Sequence, residues 1–230
     1  MISSAPRRAA SGFTLLELLV VVGLISAFAL VVIGALGSGR GSALQAAQGT
    51  VANLLVAART KATAANQSAR VLVNFNPSNT DQPSRYLRYL VLQVRNPDGS
   101  WRSLTDVYLP DGVFLLPGMN PLPAGLVANP GAWTRPGDDQ VLRSSAFRTS
   151  VSDPAGSSAG SETWLAFEVT GDGMPNNSNG DVVLALGSAK PPGTFAAGEP
   201  PVLVNSPEQV RGMSVSSYGV ATLVSDRTGF

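Results

Sequence analysis

The chain has no cysteine and no histidine among its 230 residues. Disulfides are therefore excluded whatever the compartment. The same two absences remove cysteine nucleophiles, Ser-His triads and nearly all zinc sites. Charge is scarce as well, at 13% of residues against 44% hydrophobic, with a formal net charge of +1. Without Arg7 and Arg8 the 16 basic residues fall to 14 against 15 acidic ones, a net charge of −1. Nothing in that balance calls for nucleic acid or an anionic lipid surface. Glu162, Glu168, Asp172 and Asp181 stand on turns and strands with no base, nucleophile or phosphate loop beside them, so the chain is not read as an enzyme.

What the sequence does have is one long apolar run. No charged residue occurs from Leu18 to Leu36. Roughly 19 residues at about 1.5 Å each make a helix close to the ~30 Å hydrocarbon thickness of a bilayer. Arg7 and Arg8 precede the run, and a basic flank stays in the cytoplasm, which puts the bulk of the chain outside the inner membrane. Glu17 stands at the mouth of the run. A carboxylate there costs up to ~2.5–3.5 kcal/mol if carried to the bilayer centre, so it calls for a cation. A secretory signal, with Ala35-Leu36-Gly37 as its cleavage site, has a shorter apolar region and no Glu at its entry. A plain anchor leaves Glu17 and the residues before it unexplained.

Those residues, Gly12-Phe13-Thr14-Leu15-Leu16-Glu17, resemble the processing and assembly motif of type IV prepilins and pseudopilins. The resemblance implies that a prepilin peptidase cuts between Gly12 and Phe13 and methylates the new amino terminus at Phe13. It also implies that Glu17 pairs, on assembly, with the Phe13 amine of a neighbouring subunit. Two opposite charges ~4 Å apart gain roughly 4 kcal/mol at an effective dielectric near 20, and methylation keeps the charge on the amine. The expected organisation is a leader over residues 1–12, a transmembrane helix over 13–36, an amphipathic helix over 37–69 and a periplasmic β-rich domain over 70–230.

After a flexible break at Gly37 to Gly41, Leu44, Ala47, Val51, Leu54, Ala58, Ala62 and Ala65 recur at three- and four-residue steps, which predicts a helix with a narrow, Ala-rich apolar stripe. From Arg70 the period changes to short β runs bounded by turn residues: 70–75, 86–94, 101–109, 113–116, 141–151, 164–169, 181–186, 202–204, 213–218 and 220–225. Asn96-Pro97-Asp98-Gly99 is a turn, and the Pro- and Gly-rich segments 117–139 and 190–201 read as loops. One long helix followed by many strands gives an α+β fold with an antiparallel sheet or sandwich.

Ala57 to Ala62 leading into Arg70-Val71-Leu72-Val73, with Trp164 to Gly173 and Asp181 to Leu184 later, resembles the GspH/FimT-type minor pseudopilins. The resemblance implies a pilin-like arrangement, the helix laid on the β domain, in an inner-membrane, single-pass protein. It implies a minor subunit of a type II secretion-like system. Its partners would be other pseudopilins or pilins through the N-terminal helix, the prepilin peptidase, inner-membrane lipid and secreted cargo. The alternatives are a minor type IV pilin for DNA uptake, adhesion or motility and, from another class, a membrane-tethered binding module.

Two further constellations stand out. Asp172, Asn176, Asn177, Asn179 and Asp181 gather oxygen ligands in a Gly-rich loop that could hold calcium with Asp172 and Asp181 as its carboxylates, or could be an Asx-rich turn. No other cofactor is expected. Arg85, Tyr86, Arg88, Tyr89, Arg95, Trp101 and Arg102 interleave bases with aromatics, a pattern suited to nucleic-acid contact through Arg85 and Arg88 or to strand edges protected by charge. The net charge favours the second reading.

Overall fold

The structure, a computed structural model, describes residues 18–25, 39–77, 82–137, 139–152, 162–176 and 178–230. The chain divides into two units, Met1–Gly39 and Arg40–Phe230. In the first, residues 18–25 are helical (α1) and exposed. Among the described residues no helix is long and apolar enough to cross a membrane. Residues 13–17 and 26–36 of the expected span lie outside them.

The second unit is led by a 27-residue helix, α2 (Gly39–Ala65). Alanine loses no side-chain entropy in a helix, and the segment has nine of them with no proline to interrupt it. Leu44, Ala47, Val51, Leu54, Ala58 and Ala62 are buried, the stripe expected from their spacing, and Leu55 joins them. Ala65 is exposed, because the helix ends there. Asn66 takes a left-handed φ of 49°, its N–H donates to Thr63 O and the Gln67 N–H donates to Ala62 O at 3.1 Å. Those two bonds satisfy carbonyls that the last turn would leave bare.

The strands are β1 (Ala69–Asn74), β2 (Tyr89–Arg95), β3 (Trp101–Tyr108), β4 (Val113–Leu115), β5 (Thr149–Ser152), β6 (Thr163–Val169), β7 (Gly180–Ala189), β8 (Val202–Val204), β9 (Val210–Val215) and β10 (Ala221–Val224). They form two antiparallel sheets, ordered β3-β2-β1-β6-β5 and β10-β9-β7-β4, with β8 paired to β7. The main core lies between them and under α2: Val71, Val73, Leu165 and Phe167 from the first sheet meet Leu115, Val182, Leu184 and Met213 from the second and the buried stripe of α2. Small residues on that stripe permit close approach, and Gln48, itself buried, donates to Gly212 O and to Val224 O at 2.9 Å. The helix is thereby tied to β9 and β10 by a side chain that satisfies two ladder carbonyls.

The far face of the second sheet is buried too. Val183 and Ala185 of β7 and Phe114 of β4 pack with Leu126 and Trp133, from the segment expected to be loop, and with Leu142, from the expected strand over 141–151. The expected strand over 141–151 is confined to Thr149–Ser152. Its first half runs beside β7 with serine hydroxyls replacing part of a ladder: Val183 N–H donates to Ser144 Oγ at 2.9 Å and Asp181 N–H to Ser145 Oγ at 2.8 Å, while Ala146 N–H donates to Asp181 O at 3.0 Å. The expected strand over 86–94 begins only at Tyr89. Before it Leu87, buried and at φ 57°, turns a corner. Its N–H donates to Asn74 O in the first sheet and its O accepts from Leu115 N–H in the second.

Candidate functional site

Gly12, Phe13 and Glu17, the residues expected to carry processing and assembly, lie outside the described residues. The remaining candidates all belong to the β-rich unit, and the structure gives each a partner of its own.

Arg85 and Arg88 fall in the corner before β2, not on a strand edge. Arg85 lies over the Tyr89 ring, 4.1 Å from its centroid, and 3.7 Å from the Glu162 carboxylate. Tyr89 in turn donates its hydroxyl to Asp106 at 3.0 Å. Arg88 donates to Leu109 O at 2.8 Å and to Asp111 at 2.6 Å. Trp101 is covered by Arg70, whose guanidinium sits 3.9 Å from the ring centroid. Burial pulls the Arg70 pKa down to about 10, with Glu168 opposing the shift, so the group stays charged at neutral pH. Arg85, Arg88, Tyr89 and Trp101 are thus each engaged by a group of the same domain.

Asp172 and Asp181 are likewise engaged separately. Asp181, buried, is ion-paired with Arg135. Asp172 is exposed and closes its own turn, accepting from the Thr170 hydroxyl and from Met174 N–H at 3.1 Å. Those two donors hold its carboxyl below the usual range. Among the described residues no group of three or more Asp, Glu, His or Cys side chains is placed to hold a metal ion. Asn177 lies outside the described residues.

The turn that Asp172 closes shapes a feature absent from the sequence reading. Gly173, at φ 84°, is pressed against α2: a Cβ there would lie 2.8 Å from Thr63 Cγ2 and 3.4 Å from Arg59 Nε. Beyond it, between α2, β6 and the β9–β10 hairpin, an apolar groove of about 410 Å3 opens. Val56 and Arg59 form its helical wall, Phe167 and Val169 its floor, and Val215 and Val220 the side facing the helix. Val56 (61% exposed) and Val220 (54%) stand at its lips, and Tyr218 and Leu223 continue the apolar surface along the hairpin. The one available signal was Val56, an apolar residue off the helical stripe.

Comparison with known proteins bears on both units. Residues 7–36 match the family model of the prokaryotic N-terminal methylation motif. The N-terminal segment therefore carries that motif, and the match spans Gly12, Phe13 and Glu17. Among solved structures, two of the minor pseudopilin EpsH from the type 2 secretion system of Vibrio cholerae are similar. Each is 17% identical and covers 80% of this chain and 95% of its own, with a TM-score of 0.37. A likeness of that size carries no argument about function. No curated protein sequence matches the chain at a significant level.

Proposed function

We propose that the chain is a minor pseudopilin, a non-enzymatic subunit of a type II secretion-like system. It is cut between Gly12 and Phe13 by a prepilin peptidase, methylated at Phe13 and held in the inner membrane with its β-rich domain in the periplasm. The observation that carries this reading is the methylation motif over residues 7–36, joined to an uncharged run from Leu18 to Leu36. An acid beside such a run is expensive to leave unpaired, and the Phe13 amine of a neighbouring subunit supplies its counter-charge. The role is mechanical: the helix stores the subunit in lipid, Glu17 pairs on assembly, and the domain built on α2 faces other subunits or cargo.

Mass spectrometry of the protein from membranes containing a prepilin peptidase tests the reading. The expected species begins at N-methylated Phe13. A chain that still begins at Met1, or one cut after Gly37, overturns it. Glu17→Ala should leave processing and membrane insertion intact while the subunit no longer enters filaments, followed by pull-down of assembled pseudopili. Normal incorporation removes Glu17 from the mechanism.

A further inference from the structure

We infer that the groove between α2 and the β9–β10 hairpin docks an apolar polypeptide segment of a partner protein that carries one carboxylate, received by Arg59. The surface around it is unusual for a chain with few exposed large apolar residues in this unit. Val56, Tyr218, Val220 and Leu223 are each more than half exposed, and all lie on the helix or the hairpin that frame the opening. Apolar surface gathered in this way marks a binding face. The lips spread beyond the cavity along the hairpin, which fits a polypeptide laid across them better than a compact small molecule.

Charge selects the chemistry of that segment. Among the described residues Arg59 is the only charged side chain lining the groove. The ion pairs among the described residues involve Arg85, Arg88, Arg135 and Arg227, so Arg59 enters none. Its stem lies beside Gly173, at the helical wall of the groove. A planar guanidinium presented beside apolar walls is matched by a carboxylate, with two parallel hydrogen bonds available to the pair. α2 itself offers no acid to satisfy it, having none in its 27 residues.

This chain's own apolar stretch beside an acid, Glu17 to Ile25, belongs to the segment read under Proposed function as membrane-embedded. On that reading the occupant is a different protein. The groove lies wholly within the unit Arg40–Phe230, so its occupancy and the processing at Phe13 are separately measurable.

The test places a photo-crosslinking amino acid at Val56 or at Val220 in the full-length protein in its native membrane and maps the adducts by peptide sequencing. Both positions should converge on one segment of one partner, apolar and holding a single Asp or Glu. Arg59→Glu should reduce the adduct at least about tenfold, Arg59→Lys should retain part of it, and replacing the partner's acid by Arg should restore the adduct to Arg59→Glu. Val220→Asp, a change at an exposed lip that leaves the core untouched, should abolish the adduct from Val56. No adduct, adducts scattered over several proteins, a mapped segment without an acid, an adduct to a second copy of this chain, or indifference to Arg59→Glu each overturns the inference. Because correct Phe13 processing is scored on the same sample by mass spectrometry, failure of the groove and failure of the pseudopilin reading give different results.

Discussion

The core under α2 and the core on the far side of β7 share a strand and are filled by opposite means. Under α2, regular elements supply most of the core: Ala47, Val51, Ala58 and Ala62 from one helix face meet alternate residues of β1, β6, β7 and β9, with Leu109, Ala146 and Phe147 added from irregular chain. On the far side Trp133, Leu126 and Leu142 come from irregular chain, and only the face they cover is regular. β7 feeds both, Val182 and Leu184 inward to α2 and Val183 and Ala185 outward. A strand buried on both faces needs a second cover, and here a Pro- and Gly-rich segment folds back to provide it. That segment is held as firmly as a strand: Leu142 N–H donates to Trp133 O at 2.8 Å and Val204 N–H to Leu126 O at 2.8 Å. At Gly118 a Cβ would lie 2.6 Å from both Ser144 O and Phe147 O, so two irregular stretches touch there backbone to backbone.

The difference between the cores can be broken from either side. Trp133, 1% exposed, is the largest side chain closing the outer core. Trp133→Ala should cost ~3–5 kcal/mol, read as a shift in the midpoint of denaturant unfolding. A loss below ~1 kcal/mol would mean that the irregular segment merely lies on the surface. In the other core there is no spare volume at Ala58, so Ala58→Leu should cost ~1–3 kcal/mol by pushing α2 off the sheets. If the two cores are independent, the double variant should lose the sum of the two within ~0.5 kcal/mol. A larger departure would show that β7 couples them.

Gln48→Leu sharpens the comparison at the helix. It removes the side-chain donor from the buried Gly212 and Val224 carbonyls and should cost ~1–3 kcal/mol in the same assay. No loss would mean that burial of the α2 stripe alone seats the helix. The smallest effect belongs to the turn at the groove wall. The Thr170 hydroxyl and the Met174 N–H lower the pKa of Asp172, so its contribution is present above the ordinary carboxylate range, near pH ~4, and is lost as pH falls through the depressed value. The stability difference between the native chain and Asp172→Asn should therefore shrink as pH drops below ~4. A difference that does not depend on pH would show that the charge on Asp172 contributes nothing.

Local chemistry accounts for the elements that were legible beforehand. The α2 stripe follows from helical spacing and the β9–β10 hairpin from Gly219, whose φ of 73° closes the tip. The Asn96 to Gly99 turn formed as its residues require, with Gly99 N–H donating to Asn96 O at 2.9 Å. The two misplaced strands failed for one reason. Over 86–88 and 141–148 the backbone bonds to partners far along the chain, Asn74 and Leu115 in one case and β7 in the other. No window of sequence contains those partners. The partners of Arg85 and Arg88 were hidden in the same way, since an alternation of bases and aromatics looks alike whether it faces a ligand or folds onto itself.

By itself the sequence determined what depends on near neighbours. It set the charge-free run behind Glu17, the methylation motif over residues 7–36, the register of the helix and the exclusion of disulfide and histidine chemistry. Only the tertiary structure decided which irregular chain becomes core, which carboxylate is paired with which base, and that Val56, Arg59 and Val220 meet across one groove. The first set needs only spacing within a few turns of chain. The second depends on contacts between residues up to about 160 positions apart, whose energies exist only once the two sheets have closed over β7.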